Sequence, residues 1–380
     1  MLIVHIIIAL NVGGAELMLK RLVEGHSRIV VRKVVVSLTD IGPVGKQLRA
    51  NGIEVHALGL KGILGLPLVM WRLRCLLGRL HPDIVQTWMY HSDLIGGVVA
   101  YSLGIKSVIW GVRSGDVSIG RSRITVWIRY ICAKLSSFIP TRIVCAAERS
   151  RQDHEAIGYV ASRMVVIPNG FDLERFHVSR LEVSRLRADL GLDEKALVIG
   201  FMGRLNRVKG LDFFVQAAGL IAPHSPNAYF LLVGRGLDSN NVEFVDLINQ
   251  TNAQERFRFL GERSDVPTCL AAMDIFCLSS RAEGFPNALG EAMSMSVPCV
   301  VADVGDAANL VGKTGVVVPK ENHEALAEGV LSLMKMTSDQ RQIMGQASRK
   351  RILDEFTMER CVDRFDEIYQ QVLAEASMGS

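Results

Sequence analysis

The 380-residue sequence lacks the patterns that hold metal ions or disulfide frameworks. It contains no DxD triplet, no HxxxH spacing and no CxxC pair, and its seven cysteines are scattered along the chain. An odd, unpatterned set of thiols is typical of a reducing compartment and offers no zinc site. We therefore expect a protein without a bound metal ion or cofactor.

Long apolar runs are also missing. The best candidate, residues 96–112, is interrupted by Lys106, whereas a membrane-spanning helix needs roughly 18 or more apolar residues in a row. The N-terminus, MLIVHIIIAL, lacks the basic start and the cleavage site of a signal peptide and continues directly into NVGGAE. It is interpreted as a buried first strand, and a cytoplasmic location is expected.

Acidic residues are scarce in the first part of the chain. Residues 1–168 contain 21 Lys and Arg against 10 Asp and Glu, whereas the remainder contains 22 against 29. This asymmetry indicates that the first part meets an anionic partner, with chance segregation as the alternative. The length suits two domains, and 49% hydrophobic residues allow a large core.

Short apolar runs alternate with amphipathic helical patterns throughout. The first half contains LIVHIIIAL, RKVVVSL, IEVHAL, DIVQTW, SVIWGV, RIVCAA and MVVIPN, and the second contains LVIGFMG, YFLLVG, FRFLG, IFCLSS, PCVVA and the shorter GVVVP. Continuous apolar strands between helices predict parallel sheets covered on both faces. Because the pattern starts twice, we predict two doubly wound Rossmann-like α/β domains facing across a cleft, residues 1–170 and 171–359, with a hinge at PNG.

Two cations follow the first strand of the predicted second domain. Arg204 comes directly after Gly203, and Lys209 lies five residues later, where a helix begins. Ligands of parallel sheets bind at the carboxyl ends of the strands, and a helix start adds its dipole and free amides. The arrangement predicts a diphosphate site, and a solvated loop is the alternative.

The segment SRAEGFPNALGEAM supplies a second candidate element. Pro286 and Asn287 indicate a helix start, with Glu283 before it and Glu291 one turn inside it. The free amides suit a phosphate, Glu291 suits a ribose diol and Glu283 suits sugar hydroxyls; two ordinary capping acids are the alternative. The helical period predicts a buried stripe of Ala288, Leu289, Ala292 and Met293, and another face with Asn287, Glu291 and Ser294.

Further candidates follow strands of the first domain. Gly13 and Gly14 leave room for a ligand to approach the backbone. His91 follows the QTW strand and could hydrogen-bond a reacting sugar, while Arg113 and Asp116 follow the next strand and could contact a second substrate. A purely structural role is the alternative at each of these positions.

Residues 121–138 have the pattern of a basic amphipathic helix. The predicted apolar stripe is Ile124, Trp127, Ile128, Ile131 and Leu135, with Arg121, Arg123, Arg129 and Lys134 off it. Two interpretations stay open: the helix lies on an anionic membrane surface, or it is a core helix with a solvated back.

Taken together, these motifs resemble those of a known enzyme family. GGAE, PNGFD, GRLNRVKG, FLGERSDVP and SRAEGFPNALGEAM are similar to segments of family-four retaining glycosyltransferases of the GT-B fold, over nearly the whole chain. The resemblance implies metal-independent hexosyl transfer from a nucleoside-diphosphate sugar, a UDP-sugar by preference, with retention of the anomeric configuration. It also implies that a last helix, about residues 360–380, returns to the first domain.

The resemblance assigns roles to the candidates. The catalytic candidates are His91, Glu283, Arg204 and Lys209, with Glu283 near the donor sugar, the two cations on the diphosphate and His91 near the transferred sugar. Glu291 would hold the ribose. The other donor-binding positions are Gly13, Gly14, Gly203, Gly284, Phe285, Asn287, Ala288 and Leu289. Arg113 and Asp116 stay candidates for the acceptor.

The basic first domain favours a glycan or a lipid-diphosphate-linked acceptor at the inner face of a membrane, as in capsule or lipopolysaccharide assembly, and no nucleic acid. Since no carboxylate is clearly placed as a nucleophile, we expect a same-face displacement in which the leaving phosphate takes the acceptor's proton. Two alternatives stay open: a nucleotide-sugar epimerase, and a nucleotide-sugar-binding protein without catalysis.

Overall fold

The computed structural model describes residues 1–26, 28–113, 115, 122–238 and 241–378, without the side chains of residues 242, 243 and 378. The chain divides into two compact units: unit 1 is Met1–Gly170 with Met358–Ser380, and unit 2 is Phe171–Thr357. The sequence predicted domains at 1–170, with about 360–380, and at 171–359. Among the described residues, no helix combines the length and apolar content that a membrane span requires.

Unit 1 is built on a seven-stranded parallel sheet. Its strands are β1 (Leu2–Ile7), β2 (Arg32–Ser37), β3 (Glu54–Ala57), β4 (Ile84–Trp88), β5 (Val108–Val112), β6 (Arg142–Cys145) and β7 (Met164–Val166). Their order is β3-β2-β1-β4-β5-β6-β7. All seven apolar runs predicted in this half form strands, because Val and Ile suit a pleated surface that is buried on both faces.

Helices cover both faces of this sheet. They include α1 (Gly14–Glu24), α2 (Gly42–Ala50), α3 (Leu66–Leu80), α4 (Tyr90–Ser102), α5 (Arg123–Leu135) and α6 (Glu148–Ala156), with a 3₁₀ turn at Ile63–Gly65 before α3. Apolar side chains of α1 and α2 join the core around Ile3 and Ile7. Those of α3, α4 and α5 join the core around Val4 and Ile6, on the opposite face. We call α3, α4 and α5, with their flanking turns, the α3–α5 layer.

Unit 2 repeats the architecture with six parallel strands in the order β10-β9-β8-β11-β12-β13. The strands are β8 (Leu197–Met202), β9 (Ala228–Val233), β10 (Phe257–Gly261), β11 (Ile275–Leu278), β12 (Cys299–Ala302) and β13 (Val316–Val318). The helices are α7 (Arg180–Asp189), α8 (Leu211–Ile221), α9 (Val242–Asn249), α10 (Val266–Ala271), α11 (Asn287–Ser294), α12 (Ala307–Val311), α13 (His323–Met334) and α14 (Ser338–Glu355). The predicted fold class, two parallel-sheet Rossmann-like units, is confirmed.

The last helix, α15 (Met358–Met378), belongs to unit 1. Its Phe365 stacks on Trp88 with ring centroids 6.4 Å apart. The Tyr369 hydroxyl donates to Gln86 Oε1 at 2.5 Å. The predicted return of the C-terminal helix to the first domain is therefore confirmed.

In both sheets the winding direction reverses beside the first strand. β1 lies between β2 and β4, and β8 lies between β9 and β11. A crevice opens at such a switch point, outside the carboxyl ends of the strands, and it is where ligands of open parallel sheets bind. The loops after β1 and β4 flank the switch point of unit 1, and those after β8 and β11 flank that of unit 2.

Candidate functional site

The loop after β8 approaches the loop after β11 closely because of Gly210. This residue has a φ of +60°, and a Cβ atom on it would lie 2.0 Å from the carbonyl oxygen of Ser279. Asn206 shapes the loop by accepting a hydrogen bond from the Val208 amide at 3.0 Å. Only glycine fits at position 210, and it brings Lys209 beside the segment that carries Glu283.

Lys209 and Glu283 contact each other at the switch point of unit 2. Lys209 Nζ lies 2.6 Å from Glu283 Oε1. The Ser280 hydroxyl donates to the same carboxylate oxygen, also at 2.6 Å. The two charged side chains are 27% and 10% exposed, so the pair is partly buried but reachable from solvent. Two of the predicted catalytic side chains thus form one hydrogen-bonded group.

Arg204 lies exposed at the end of β8, next to Gly203. Its loop is fastened by the loop after β9: the Leu205 amide donates to the Arg235 carbonyl at 2.8 Å, and a Cβ on Gly234 would lie 1.9 Å from the Gly203 carbonyl oxygen. Arg204 itself makes no hydrogen bond or ion pair within the described part of the chain. A second cation therefore stands at this edge, available for an anionic ligand.

Helix α11 begins at Asn287, as predicted. Its buried residues are Leu289, Gly290, Ala292, Met293 and Ser294. Ala288 is only half-buried, and the expectation for Ser294 is wrong, because its buried hydroxyl donates to the Gly290 carbonyl at 2.7 Å. Asn287 and Glu291 are half-buried. The Leu289 amide donates to the Pro286 carbonyl at 3.1 Å, so this predicted donor-binding amide already has a partner within the protein.

Two sets of contacts hold the segment between Glu283 and α11, one to aromatic rings and one to the loop that contains Gly305. Phe285 is buried, and its ring lies 6.1 Å from both Phe171 and Phe356. Its predicted donor contact is therefore limited to its backbone. On the other side, a Cβ on Gly305 would lie 2.4 Å and 2.5 Å from the carbonyl oxygens of Glu283 and Gly284. The predicted position Gly284 also accepts a hydrogen bond from the Asp306 amide at 3.1 Å.

His91 lies half-buried in the first turn of α4. Burial lowers the pKa of its imidazole, which favours the neutral ring. Met89, just before the helix, has a φ of +70°, a conformation that is rare outside glycine and turns the chain sharply. Asp93 holds this turn, because its Oδ1 accepts from the Thr87 hydroxyl at 2.6 Å and from the Gly111 amide at 3.4 Å.

Gly13 and Gly14 lie on the other side of the unit 1 switch point. Gly13 is the residue that caps α1, and a Cβ on it would lie 2.4 Å from the Glu16 carboxylate. Gly14 is exposed at the first position of the helix. Both glycines and His91 therefore belong to the two loops at which a ligand of this sheet is expected.

Arg113 packs against two aromatic rings of unit 1. Its guanidinium packs over the Trp88 ring at 4.7 Å and the Phe365 ring at 5.5 Å, and it donates to Asn169 Oδ1 at 3.0 Å. Its Nε and Nη2 atoms are buried, and burial lowers its pKa. The ring contacts give Arg113 a packing role, and its acceptor contact stays a prediction. Asp116, the other acceptor candidate, lies outside the described residues.

Two family models match the chain. Residues 12–175, which include both glycines and His91, match the model described as Glycosyltransferase Family 4. Residues 196–336, which include Arg204, Lys209, Glu283 and Glu291, match the model described as Glycosyl transferases group 1. The chain is a family-four glycosyltransferase.

The relatives of this glycosyltransferase include a galactosyltransferase and a glycosyltransferase of capsular polysaccharide biosynthesis. It is 28% identical to the UDP-Gal:alpha-D-GlcNAc-diphosphoundecaprenol alpha-1,3-galactosyltransferase of Escherichia coli, over 76% of this chain and 75% of the relative. It is 23% identical to the capsular polysaccharide biosynthesis glycosyltransferase CapM of Staphylococcus aureus, over 91% of this chain and 93% of the relative. The names of both relatives describe sugar transfer.

Solved structures agree on the fold. The HepE protein of Anabaena in complex with UDP superposes with a TM-score of 0.83, at 22% identity and with all of both chains covered. WaaG, a glycosyltransferase involved in lipopolysaccharide biosynthesis, superposes with a TM-score of 0.72 at 16% identity, over 96% of this chain and 99% of that one. The glycosyltransferase therefore has the GT-B fold.

Helix α5 of the glycosyltransferase faces differently from the predicted stripe. Its buried residues are Arg129, Cys132 and Ala133. Ile124, Trp127 and Ile131 are 55%, 68% and 40% exposed, whereas Ile128 and Leu135 are partly buried. The stripe is thus divided between core and solvent. Arg121 lies outside the described residues, and among the residues described there is no cluster of three His, Cys, Asp or Glu side chains for a metal ion.

Several residues that shape the site of the glycosyltransferase were missed. Ser280 orients Glu283, and Gly210, Gly234 and Gly305 permit close approach between loops. Arg281 pairs with Asp212 at 2.5 Å and with Glu321 at 3.2 Å. The glycines that directly follow a predicted strand, such as Gly234 after LLV, carried a usable signal, but the serine and arginine contacts carried none, because they depend on which loops become neighbours.

Proposed function

We propose that this glycosyltransferase binds a nucleoside-diphosphate sugar, preferably a UDP-sugar, on unit 2 and transfers its sugar to a glycan or lipid-linked glycan. The observation that carries the proposal is the Lys209–Glu283 pair at the unit 2 switch point, inside the region matched by the group 1 model. The relatives' printed names and the UDP complexes of HepE support the choice of donor.

The pair divides the donor site into a cationic and an anionic side. A lysine ammonium has three donors, so Lys209 can hold Glu283 and still donate to a phosphate oxygen beside Arg204. Glu283 Oε1 accepts from Lys209 and Ser280, which leaves Oε2 to accept from sugar hydroxyls. The first amides of α11 add their dipole for the diphosphate, and Glu291, one turn in, suits the ribose diol.

The proposed transfer retains the anomeric configuration and uses no metal ion. The bond between the sugar's anomeric carbon and the β-phosphate oxygen breaks, and the acceptor oxygen bonds to that carbon from the same face. The acceptor's proton moves to the leaving phosphate, whose charge Arg204 and Lys209 stabilise. Two hydrogen bonds to Glu283 Oε1 lower its nucleophilicity, which supports a direct displacement. His91, with a neutral ring favoured, hydrogen-bonds the transferred sugar.

The site of action that we propose is the inner face of a membrane. The exposed side chains of α5 include Trp127, Tyr130 and Ile131 together with Arg123 and Lys134. An apolar stripe with aromatic and basic residues suits an anionic bilayer surface. A lipid-diphosphate acceptor, of the kind printed in the name of the Escherichia coli relative, would be presented at such a surface.

The test is thermal stabilisation by UDP, GDP, ADP and their common sugar conjugates. A ligand that binds only the folded protein raises its unfolding temperature. We expect one nucleotide, UDP, to stabilise the wild type by several degrees, and we expect Lys209→Ala and Glu291→Ala to lose this stabilisation. Lys195→Ala, which removes an exposed lysine just before β8 and therefore at the opposite edge of the parallel sheet, is the matched control and should behave as the wild type.

No response to any nucleotide would refute the donor site. If binding is found, incubating the stabilising UDP-sugar with an undecaprenyl-diphosphate-linked sugar separates the candidate activities. A lengthened glycan with retained configuration supports transfer, a C-epimer of the free donor identifies an epimerase, and an unchanged donor identifies a binding protein.

A further inference from the structure

Exposed aromatic side chains are concentrated on one layer of the molecule. Among the described residues, five aromatic side chains are largely exposed: Trp71, Tyr101, Trp127, Tyr130 and Phe138. All five belong to the α3–α5 layer of unit 1. Soluble surfaces carry single exposed apolar residues, but a set confined to one layer indicates a surface that meets an apolar partner.

Helix α3 contributes to this layer independently of α5. It packs inward with Val69, Leu73, Leu76 and Leu77. Its outward side, with the turn before it, carries Ile63, Leu64, Leu68 and Trp71, which are 75%, 97%, 50% and 62% exposed. These side chains recur at helical spacing, so α3 has an apolar stripe on each side, and only one of them is covered.

Helices α3 and α5 flank α4 on the same face of the sheet. Each contacts α4, which lies largely buried between them, and all three pack on the same face of the sheet. α3 follows β3 and α5 follows β5, so the first turns of both helices lie at the carboxyl edge of the parallel strands. This is the edge that carries His91 and the Gly13–Gly14 loop.

The charged side chains of α3 and α5, with their adjoining residues, are of one sign. Residues 55–82 contain Lys61, Arg72, Arg74 and Arg79 and no Asp or Glu, and residues 122–147 contain four Arg or Lys and again no acid. On the opposite face of the sheet, α15 carries five acids against two arginines. The exposed aromatic and apolar side chains of α3 and α5 therefore lie among basic residues.

We propose that the outer surface of the α3–α5 layer docks on an anionic lipid bilayer at two points, the stripe of α3 beginning at Leu64 and the stripe of α5 beginning at Ile124. Trp and Tyr rings suit the boundary between headgroups and acyl chains, while Arg and Lys extend toward lipid phosphates. The inference rests on the proposed action at a membrane. It adds α3 as a second anchor and directs the carboxyl edge of unit 1 toward lipid-borne acceptors.

A second copy of the chain is a poorer occupant of this surface. In a two-fold dimer the same patch lies on both sides of the interface. The basic side chains of α3 and α5 would then face the same basic side chains of the second copy. Neither helix carries an acid to pair with them, and like charges brought together oppose association. An anionic bilayer supplies both the apolar phase and the opposite charge.

The first experiment uses tryptophan fluorescence of the full-length protein. Trp88 and Trp110 are fully buried, so in Trp127→Phe the single exposed tryptophan is Trp71. With vesicles of phosphatidylglycerol and phosphatidylcholine, we expect its emission to shift to shorter wavelength and to be quenched by brominated lipid. Unchanged Trp71 emission, while the variant still co-sediments with the vesicles, would overturn the role of α3.

The second experiment measures co-sedimentation with the same vesicles. We expect Leu64→Gln/Trp71→Gln to reduce partitioning about tenfold, since two apolar side chains no longer enter the interface, and Leu353→Gln, an exposed leucine of unit 2, to leave it unchanged. Phosphatidylcholine vesicles and high salt should both weaken binding. Equal partitioning of the double variant, or a dimer in light scattering that this variant alone dissolves, would overturn the proposal.

The two proposals fail separately. UDP stabilisation of Leu64→Gln/Trp71→Gln should equal that of the wild type, and Lys209→Ala should keep its vesicle binding. A wild-type protein that binds UDP but not the vesicles would refute the α3 anchor alone. One that binds the vesicles but not UDP would refute the donor site alone.

Discussion

The two units share one architecture but keep their polar groups in opposite electrostatic states. At the unit 2 edge the side chains are paired: Lys209 contacts Glu283, and Arg281 contacts Asp212. Burial raises the pKa of Asp212, but its hydrogen bond to Arg281 and the charge of Arg281 lower it more, so the net shift is downward. In unit 1, burial and the charge of Lys33 lower the pKa of His5 to about 3. Burial also raises the pKa of Asp93 to about 7, despite its bonds to Thr87 and Gly111.

Under the proposed function, the same switch-point geometry would serve two kinds of ligand. Exposed and paired charges suit a diphosphate, because they can exchange a protein partner for a phosphate oxygen at little cost. A desolvated, neutral surround suits an acceptor hydroxyl, which carries no charge before transfer. The fold provides the crevice in both units, and the burial of individual side chains decides which ligand it fits.

The largest effect should come from adding one methyl group to a helix of each unit. A Cβ on Gly290 of α11 would lie 1.9 Å from the Phe171 ring, whereas Gly78 of α3 has nothing within 4 Å. We expect Gly290→Ala to destabilise unit 2 by about 3 kcal/mol through overpacking, and Gly78→Ala to stabilise unit 1 by about 0.5–1 kcal/mol. Hydrogen exchange of peptides from each unit measures both, and unchanged protection around α11 in Gly290→Ala would contradict the packing.

The next effect concerns the neutral carboxyl of unit 1. Because Asp93 has a folded-state pKa of about 7 against an ordinary 3.8, the folded state binds the extra proton between these values. The free energy of unfolding should therefore fall as pH rises through this window, by at most about 1.4 kcal/mol per pH unit. Asp93→Asn keeps an oxygen for Thr87 and Gly111 but does not ionise, so its denaturant-unfolding profile should be flatter with pH.

Asp212→Asn provides the opposite case. In the wild type the pKa of the Asp212 carboxyl is lowered, so this carboxyl stabilises the fold at pH values above the ordinary pKa of Asp. That stabilisation is lost as pH falls. This variant should therefore be less stable than the wild type near neutral pH and approach it as pH falls, which flattens the acid limb of the stability profile. If both variants changed the same limb, the electrostatic contrast between the units would be wrong.

A smaller effect is expected from removing one charge at the unit 2 edge. In Glu283→Gln the Lys209 ammonium is no longer neutralised, so UDP binding should be kept or strengthened in calorimetry. Transfer should fall about 10- to 100-fold, the loss of one charge-assisted hydrogen bond to the sugar. Glu324→Gln, at an exposed acid of unit 2, serves as control. A trapped glycosyl-enzyme on Glu283 would contradict the direct displacement.

The smallest effect is expected at the Arg235–Glu262 pair, beside the same site. Both side chains are more than half exposed, at 58% and 57%, and solvent and salt screen such pairs. Arg235→Ala should leave the melting temperature and UDP affinity within measurement error. A marked loss of UDP affinity would place the loop after β9 in the donor site and sharpen the map of charged groups on unit 2.

The regular elements could be predicted because their signals are local. Each strand is covered on both faces, so each appears as a continuous apolar run, as in RKVVVSL and LVIGFMG, and every run assigned to a strand forms one. Helix α11 could be placed from Pro286 and Asn287 for the same reason. Helix α5 could be predicted but not its orientation, because both of its sides offer apolar residues and α4 packs against α5, with Arg129 and Cys132 on the buried side.

What the sequence determined by itself is the order of strands and helices, the basic character of the first unit and the residue types at each strand end. These follow from backbone preference, burial and charge count, which need no knowledge of distant neighbours. The tertiary structure decided which of these residues meet. It placed Lys209 on Glu283, enclosed Arg113 between Trp88 and Phe365, and left Trp71 and Trp127 exposed. Contacts between loops far apart in the chain depend on strand order and on close approach at glycines such as Gly210, and neither is written in any single segment.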